Sequence, residues 1–551
     1  MREIKTVGVI GLGTMGAGIV EVFARGGLQV VGVETTEELA ERGRGILQAS
    51  VDRAVQRGRV SEQDRDALLR RVRISTTMQD LSGADLVVEA VPEVMAIKDQ
   101  VFSALDGIVG EDCILASNTS SLSITRIAAG TDHPERVVGM HFFNPAPVLK
   151  LVEVITTLRS DPEVVQTVSA LSTALGKKPV VVGDRAGFVA NYLLFGYLNS
   201  AIRMLEQGHV SREDLDTAMR VGAGLPMGPL TLMDLIGLDV CHHIGDVIYG
   251  HSRSQLHAPS ATLEQMVTAG RLGRKSGRGF YTYARTGGSQ VVPDELTPQN
   301  GEQAGVERVA VVGEGTIARE LVGRLEDGGY AVTHLADASG DLSAVGSVGL
   351  VIEAQEELDD TEDGSVADRD VDDLFRELGQ TVAEGTVLAT VNTYSAVALA
   401  AISGRTEDTA VLRVHTPTGN GQVVEIGRTT ATSARTVELL RGVVRAMGAE
   451  PVVCRDRTGL VVDALLISHL NDAVRMLDEG YAGAEEIDTA IQHGLGYPMG
   501  PLAMVDHIGA DEVLVLAEEL HSGSSCLPRE ALAPSPLLVE HVLLDLPFTG
   551  R

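Results

Sequence analysis

Two groups of residues in this chain have types and spacings that could do chemistry. Gly11, Gly13 and Gly16 are spaced G-x-G-x-x-G within Gly11-Leu12-Gly13-Thr14-Met15-Gly16, directly after an apolar run at 7–10 and opening a helical stretch. In that context the first glycine permits a tight turn and the second lets backbone approach a pyrophosphate. The third lets helix pack on strand, while the helix N-terminus offers unpaired N–H groups to the phosphates. Glu34 ends the next β-branched run, 30–33. A carboxylate there accepts both ribose hydroxyls and repels a 2′-phosphate, so NAD is expected rather than NADP. The second group is His141, with Glu153 twelve residues further on. An imidazole titrates near neutral pH, and a carboxylate behind it can hold the ring and stabilise its charged form. Hydride passed to a nicotinamide and a proton passed to such a base together oxidise a secondary alcohol to a ketone.

The elements that must position these groups follow from the pattern. Short β-branched runs at 7–10, 30–33, 86–89, 114–117 and 137–140 alternate with helical stretches over residues 1–185. That order predicts a mostly parallel sheet covered by helices, with His141 at the carboxyl edge of the last run. Residues 186–284 carry apolar positions at helical spacing and almost no strand signal, so an all-α domain is expected. A polar stretch at 285–304 reads as a linker.

The pattern then restarts. Val309-Ala-Val-Val-Gly313-Glu314-Gly315 repeats the first strand and turn 302 positions later, and Glu353 repeats Glu89 264 positions later. The second copy therefore lacks a segment matching the long helical stretch 37–72, and it gains an acidic insert near 359–373. The offset settles at 272 between Gly187 and Gly459 and holds through Pro226-Met-Gly-Pro229 and Pro498-Met-Gly-Pro501. The fold class is thus a Rossmann-type α/β domain plus an all-α helical domain, tandemly duplicated, with the second copy at 305–455 and 456–551. Glu314 puts a carboxylate inside the second turn, and Ala336 stands in the place of Glu34. The second copy is expected not to bind the dinucleotide.

Composition narrows the function further. The chain has 551 residues and a formal net charge of −31, which argues against nucleic acid or an anionic membrane surface as partner. No segment has the length and apolarity of a membrane span, and Cys113, Cys241, Cys454 and Cys526 lack metal-ligand spacing. Free thiols, a cytoplasmic location and no metal are expected.

Ordered motifs tie these features together: Ser117-Asn-Thr-Ser120, His141-Phe-Phe-Asn144-Pro, Leu151-Val-Glu153, Gly187-Phe-Val-Ala-Asn191, Gly222 to Pro229, and Lys275-Ser-Gly. The series resembles the L-3-hydroxyacyl-CoA dehydrogenases over residues 1–284 and, in degraded form, over 305–551. The resemblance implies that His141 and Glu153 form the proton-transfer dyad, and that Ser120 and Asn191 hydrogen-bond the reacting oxygen or the thioester carbonyl. It also implies that Glu93, Lys98, Ser120, Asn144 and Lys275 surround the nicotinamide and its ribose, and that Ser50 and Arg57 touch coenzyme A. The substrate is then an acyl-CoA. Its acyl group is open between a short chain, such as 3-hydroxybutyryl, and a dicarboxylic one, such as 3-hydroxyadipyl. A gulonate-like dehydrogenase of free hydroxyacids and a silent acyl-CoA-binding scaffold are the competing readings. In the second copy Asn392, His415 and Glu425 persist, whereas Tyr394, Asp463 and Phe548 replace the counterparts of Ser120, Asn191 and Lys275. Preserved spacing in the two helical domains predicts that they pair within the chain, with further homo-oligomers left open.

Overall fold

The computed structural model describes residues 3–298, 305–336, 342–355, 370–415 and 421–550. The acidic insert lies largely outside them. The first half folds around an eight-stranded sheet: β1 (Thr6–Ile10), β2 (Gln29–Val33), β3 (Val72–Ser75), β4 (Leu86–Glu89), β5 (Ile114–Ser117), β6 (Val137–Phe142), β7 (Leu151–Thr156) and β8 (Lys178–Gly183). Their order is β3-β2-β1-β4-β5-β6-β7-β8, parallel except for β6 against β7. Central strands buried on both faces read as continuous apolar runs, which is why β1, β4, β5 and β6 are legible in the sequence. The stretch 37–72 departs from expectation. It is two helices, Glu37–Gln56 and Glu62–Arg70, followed by the edge strand β3, whose four residues are too short a run to stand out from the helical stretch before it.

Helices Ala190–Glu206, Arg212–Thr217, Pro229–Ile236, Leu238–Ser252 and Ala261–Thr268 build the helical domain. The expected linker is partly ordered. A short hairpin pairs β9 (Thr282–Tyr283) with β10 (Val291–Val292), and Asp294 accepts hydrogen bonds from Arg212 and Thr282.

The second half repeats the plan with seven strands: β11 (Arg308–Val312), β12 (Ala331–Leu335), β13 (Leu350–Glu353), β14 (Val387–Thr390), β15 (Thr409–His415), β16 (Val423–Arg428) and β17 (Glu450–Arg455). Among the described residues this sheet has no counterpart of β3, in keeping with the missing segment.

The two halves pack as pseudo-symmetric partners. Helix Ala190–Glu206 crosses helix Val462–Asp478 so closely that a Cβ on Gly196 would sit 3.3 Å from Asp472 Oδ2. The exchange is reciprocal: helix Arg212–Thr217 of the first half packs on β17, and helix Ala484–Gly494 of the second packs on β7 and β8. Gly222 and Gly494 mark the two equivalent close approaches, facing Val462 with Val423 and Leu151 with Phe143. One continuous apolar core runs from Phe188 and Leu193 through to Leu465 and Ile487. Among the described residues, no helix is long and apolar enough to cross a membrane.

Candidate active site

The glycine turn between β1 and helix Thr14–Arg25 has the geometry its spacing implies. Gly11 adopts φ +86°, where side chains are strained, and hydrogen-bonds Val33 O across to β2. A Cβ at Gly16 would lie 1.7 Å from Gly11 O, so only glycine lets the helix approach. A Cβ at Gly13 would meet nothing within 4 Å, which leaves its backbone facing open space where a pyrophosphate fits. Leu12, Thr14 and Met15 complete the turn. Glu34 follows β2, and its carboxylate accepts the Leu12 N–H at 2.6 Å, which places it at the mouth of the turn. These residues suit a dinucleotide with a free ribose.

In the second copy Gly313 and Gly315 both have positive φ, at +136° and +118°, but the exposed Glu314 lies between them. Ala318 takes the place of Gly16. The turn shape survives, with a carboxylate at the position that Leu12 holds in the first turn.

Around the sheet's carboxyl edge, a chain of buried charges organises the first half. Lys98, 1% exposed, reaches Glu89 at 2.8 Å and Glu93 at 3.1 Å. Glu89 also accepts from Ser117 Oγ at 2.6 Å. Glu93 accepts from Thr119 Oγ1 at 2.6 Å and from the Ser120 N–H at 2.8 Å, which fixes the loop carrying Ser120. Burial disfavours the Glu93 carboxylate, but Lys98 and these hydrogen bonds outweigh it and hold its pKa below the ordinary value.

His141 and Glu153 face each other across the antiparallel β6–β7 pair, and Nδ1 lies 2.7 Å from Glu153 Oε2. The other Glu153 oxygen accepts the N–H groups of Val189 and Ala190, both at 3.0 Å. Phe143 and Phe188 pack against the imidazole with ring centroids 4.4 and 5.7 Å away. Glu153 is fully buried and acceptor-only, so Nδ1 carries a proton and Nε2 is the nitrogen free to act. Asn191 is the next residue after the two amides that hold Glu153. Its own amide has no hydrogen-bond partner among the described residues.

The remaining expected residues are less converged. Asn144 is exposed beyond β6. Ser50 and Arg57 are seven residues apart at the end of helix Glu37–Gln56, two turns along one face. Lys275 pairs with Asp239 inside the helical domain, and the structure brings it to none of the residues around Glu93. Three residues that sequence reasoning passed over are Glu89, Ser117 and Asn118, whose Oδ1 accepts the Phe142 N–H at 2.8 Å and steadies the strand carrying His141. A signal for Glu89 was present in the repeat, because Glu353 recurs with Thr390 and Asn392 donating to it.

Strand register corrects the reading of the second copy. Across the β15–β16 pair the partner of Glu425 is Arg413, whereas His415 pairs with Val423. Arg413 therefore occupies the place of His141. His415 reaches Glu425 from two residues further on, at 2.7 Å through Nε2. Asn392 likewise takes the place of Thr119, since both N–H groups bond the last hydroxyl of the preceding strand. Phe548 matches Phe280, each donating its N–H to the equivalent aspartate, Asp506 and Asp234, and not Lys275.

A dinucleotide turn, a histidine–carboxylate pair at the sheet's carboxyl edge and an appended helical domain define a two-domain NAD-dependent dehydrogenase. The family model for the 3-hydroxyacyl-CoA dehydrogenase NAD-binding domain matches residues 6–185 and 338–457, and that for the C-terminal domain matches 187–283 and 459–546. The chain belongs to the 3-hydroxyacyl-CoA dehydrogenase family. It is 48% identical over 282 residues to a 3-hydroxybutyryl-CoA dehydrogenase of Mycobacterium tuberculosis, covering 51% of this chain and 99% of that protein. Over 549 residues it is 32% identical to a 3-hydroxyadipyl-CoA dehydrogenase of Escherichia coli, covering 99% of both. A crystal structure titled 3-hydroxybutyryl-CoA dehydrogenase from Escherichia coli superposes with a TM-score of 0.73 at 30% identity over 99% of both chains.

Proposed function

We propose that the chain oxidises the 3-hydroxyl of a short-chain (3S)-3-hydroxyacyl-CoA to the 3-oxoacyl-CoA, reversibly, at one centre per chain in the first half. NAD, when bound, supplies the hydride acceptor. Gly11, Gly13 and Gly16 cradle its pyrophosphate, and Glu34 takes the adenosine ribose. His141 Nε2 accepts the proton of the 3-hydroxyl as hydride leaves C3, and Glu153 stabilises the imidazolium through Nδ1. Ser120 and Asn191 hold the reacting oxygen and the thioester carbonyl, and Glu93 with Lys98 fixes the Ser120 loop beside the nicotinamide. Asn144 and Lys275 are assigned to the cofactor pocket, and Ser50 and Arg57 to coenzyme A, where a cation suits a phosphate. The observation that carries this reading is the buried His141–Glu153 pair, whose second carboxylate oxygen is occupied by two backbone amides. Initial rates of NADH formation across 3-hydroxyacyl-CoA thioesters and the matching free hydroxyacids test it. Faster turnover of the free acids would refute the coenzyme A assignment.

A dicarboxylic acyl group is the second reading, favoured by the match to the 3-hydroxyadipyl-CoA dehydrogenase over 99% of both chains. The ratio of kcat/KM for 3-hydroxybutyryl-CoA and 3-hydroxyadipyl-CoA separates the two.

A further inference from the structure

The two helices that follow the glycine turns, Thr14–Arg25 and Thr316–Asp327, have the same length and can be compared position by position. In the first, Gly18, Glu21 and Arg25 share one side, being three and four residues apart. Loop 143–150 joins β6 to β7, carries Asn144 and lies on that side. A Cβ on Gly18 would stand 3.3 Å from both Ala146 Cβ and Pro147 Cδ. Lys177, 7% exposed, holds the same loop: its ammonium donates to Ala146 O and, at 2.8 Å, to Leu149 O. Glu21 is 1% exposed. One of its carboxylate oxygens accepts from Arg25, and the other has no hydrogen-bond partner among the described residues.

Every member of this group is replaced in the second copy. At the offsets of 302 and 272, Glu320, Gly323, Asp327 and Ala449 take the places of Gly18, Glu21, Arg25 and Lys177, and the first three are exposed. The second sheet and its helix form without them, so the fold itself does not require a buried ammonium here. Burial disfavours that ammonium and lowers the Lys177 pKa from 10.5 to about 8, with Arg25 adding to the effect and Glu21 opposing it. The charge is kept only in the copy whose cofactor turn is intact.

We propose that Lys177 is a positioning residue for the nicotinamide end of NAD, pinning loop 143–150 against the cofactor helix so that Asn144 is held at the cofactor pocket. The proposal rests on the assignment of Asn144 to that pocket. Two carbonyls of the loop converge on one ammonium, which fixes the path of the chain just after Asn144. The loop also joins the strands of His141 and Glu153, but those two are set by the β6–β7 ladder, so the anchor bears on Asn144 and not on the dyad.

Titrations of the full chain carrying Lys177→Met with NAD and with ADP separate the two ends of the cofactor. ADP has the adenosine and the diphosphate but neither the nicotinamide nor its ribose. NAD should bind about fivefold more weakly, as for one lost hydrogen bond, while ADP binds as to the parent. The kcat for 3-hydroxybutyryl-CoA should fall by about 10- to 100-fold through misplacement of the ring. Its pH profile, set by the dyad, should not move. Gly18→Val crowds the same loop from the helix without lowering helix propensity, and should reproduce the split between NAD and ADP. Asn144→Ala tests the underlying assignment by itself, since parental NAD binding there would remove Asn144 from the pocket whatever Lys177 does. Equal weakening of NAD and ADP in both loop variants would mark a merely structural role, and parental NAD binding with parental kcat would show that the loop needs no anchor. Either result overturns the proposal.

Discussion

Replacing Glu153 by glutamine removes one charge and adds one N–H₂ group at a fully buried position, and the surroundings dictate how the amide sits. Glu153 accepts three hydrogen bonds, one from His141 Nδ1 and two from the N–H groups of Val189 and Ala190. If the amide oxygen turns to His141, the N–H₂ group confronts both backbone donors. Two buried N–H groups then lose their acceptor, at about 1–3 kcal/mol each. The oxygen therefore stays on the amides and the N–H₂ group faces Nδ1. The ring must respond by accepting at Nδ1 and carrying its proton on Nε2, which is the wrong tautomer for a base. An orienting carboxylate lost in this way lowers kcat by ~10²–10⁴-fold. Stopped-flow and steady-state NADH formation measure kcat, and titration with NAD alone should give an unchanged Kd because the cofactor turn lies at β1, β2 and Glu34. A kcat within about threefold of the parent, well inside that expected loss, would show that the dyad does not carry the proton.

Four further outcomes are expected. Calorimetry should find one NAD site per chain because Glu314 intrudes on the second turn, and Glu34→Ala should narrow the preference for NAD over NADP; two equivalent NAD sites would contradict the first, and an unchanged preference the second. Removing residues 305–551 should uncover the apolar face of helix Ala190–Glu206 and leave 1–304 aggregated or dimeric in light scattering, so a stable, active monomer would remove the scaffold role of the second half. Gly494→Val should destabilise the chain by about 1–3 kcal/mol, since even a Cβ would stand 2.6 Å from Leu151 Cδ2, and denaturation midpoints read this out. Asp472 sits at the crossing of the two long helices, where burial raises its pKa from 3.8 to about 6. A carboxyl whose folded pKa is raised loses stability as pH climbs between those values, so Asp472→Asn should raise Tm at pH 7 and give no difference below pH 3.8. An equal effect at both pH values would refute the titration argument.

The sequence by itself determined the class of fold and most of the chemistry. G-x-G-x-x-G after an apolar run constrains backbone locally, through φ at Gly11 and the close approach at Gly16, so a motif of six residues suffices. The paired helical domains were legible because the 272-residue offset runs through both without a break. Edge strand β3 and the ordered stretch 285–298 were hidden, since segments this short take their conformation from what they pack against. The state of the second copy was decided only by tertiary structure. Counting along the chain pairs His415 with Glu425, but a strand's side chains alternate faces, and only the register of β15 against β16 puts Arg413 where His141 stands in the first half. Which nitrogen of His141 is free was settled the same way, by Val189 and Ala190 arriving from a distant helix to occupy the far oxygen of Glu153.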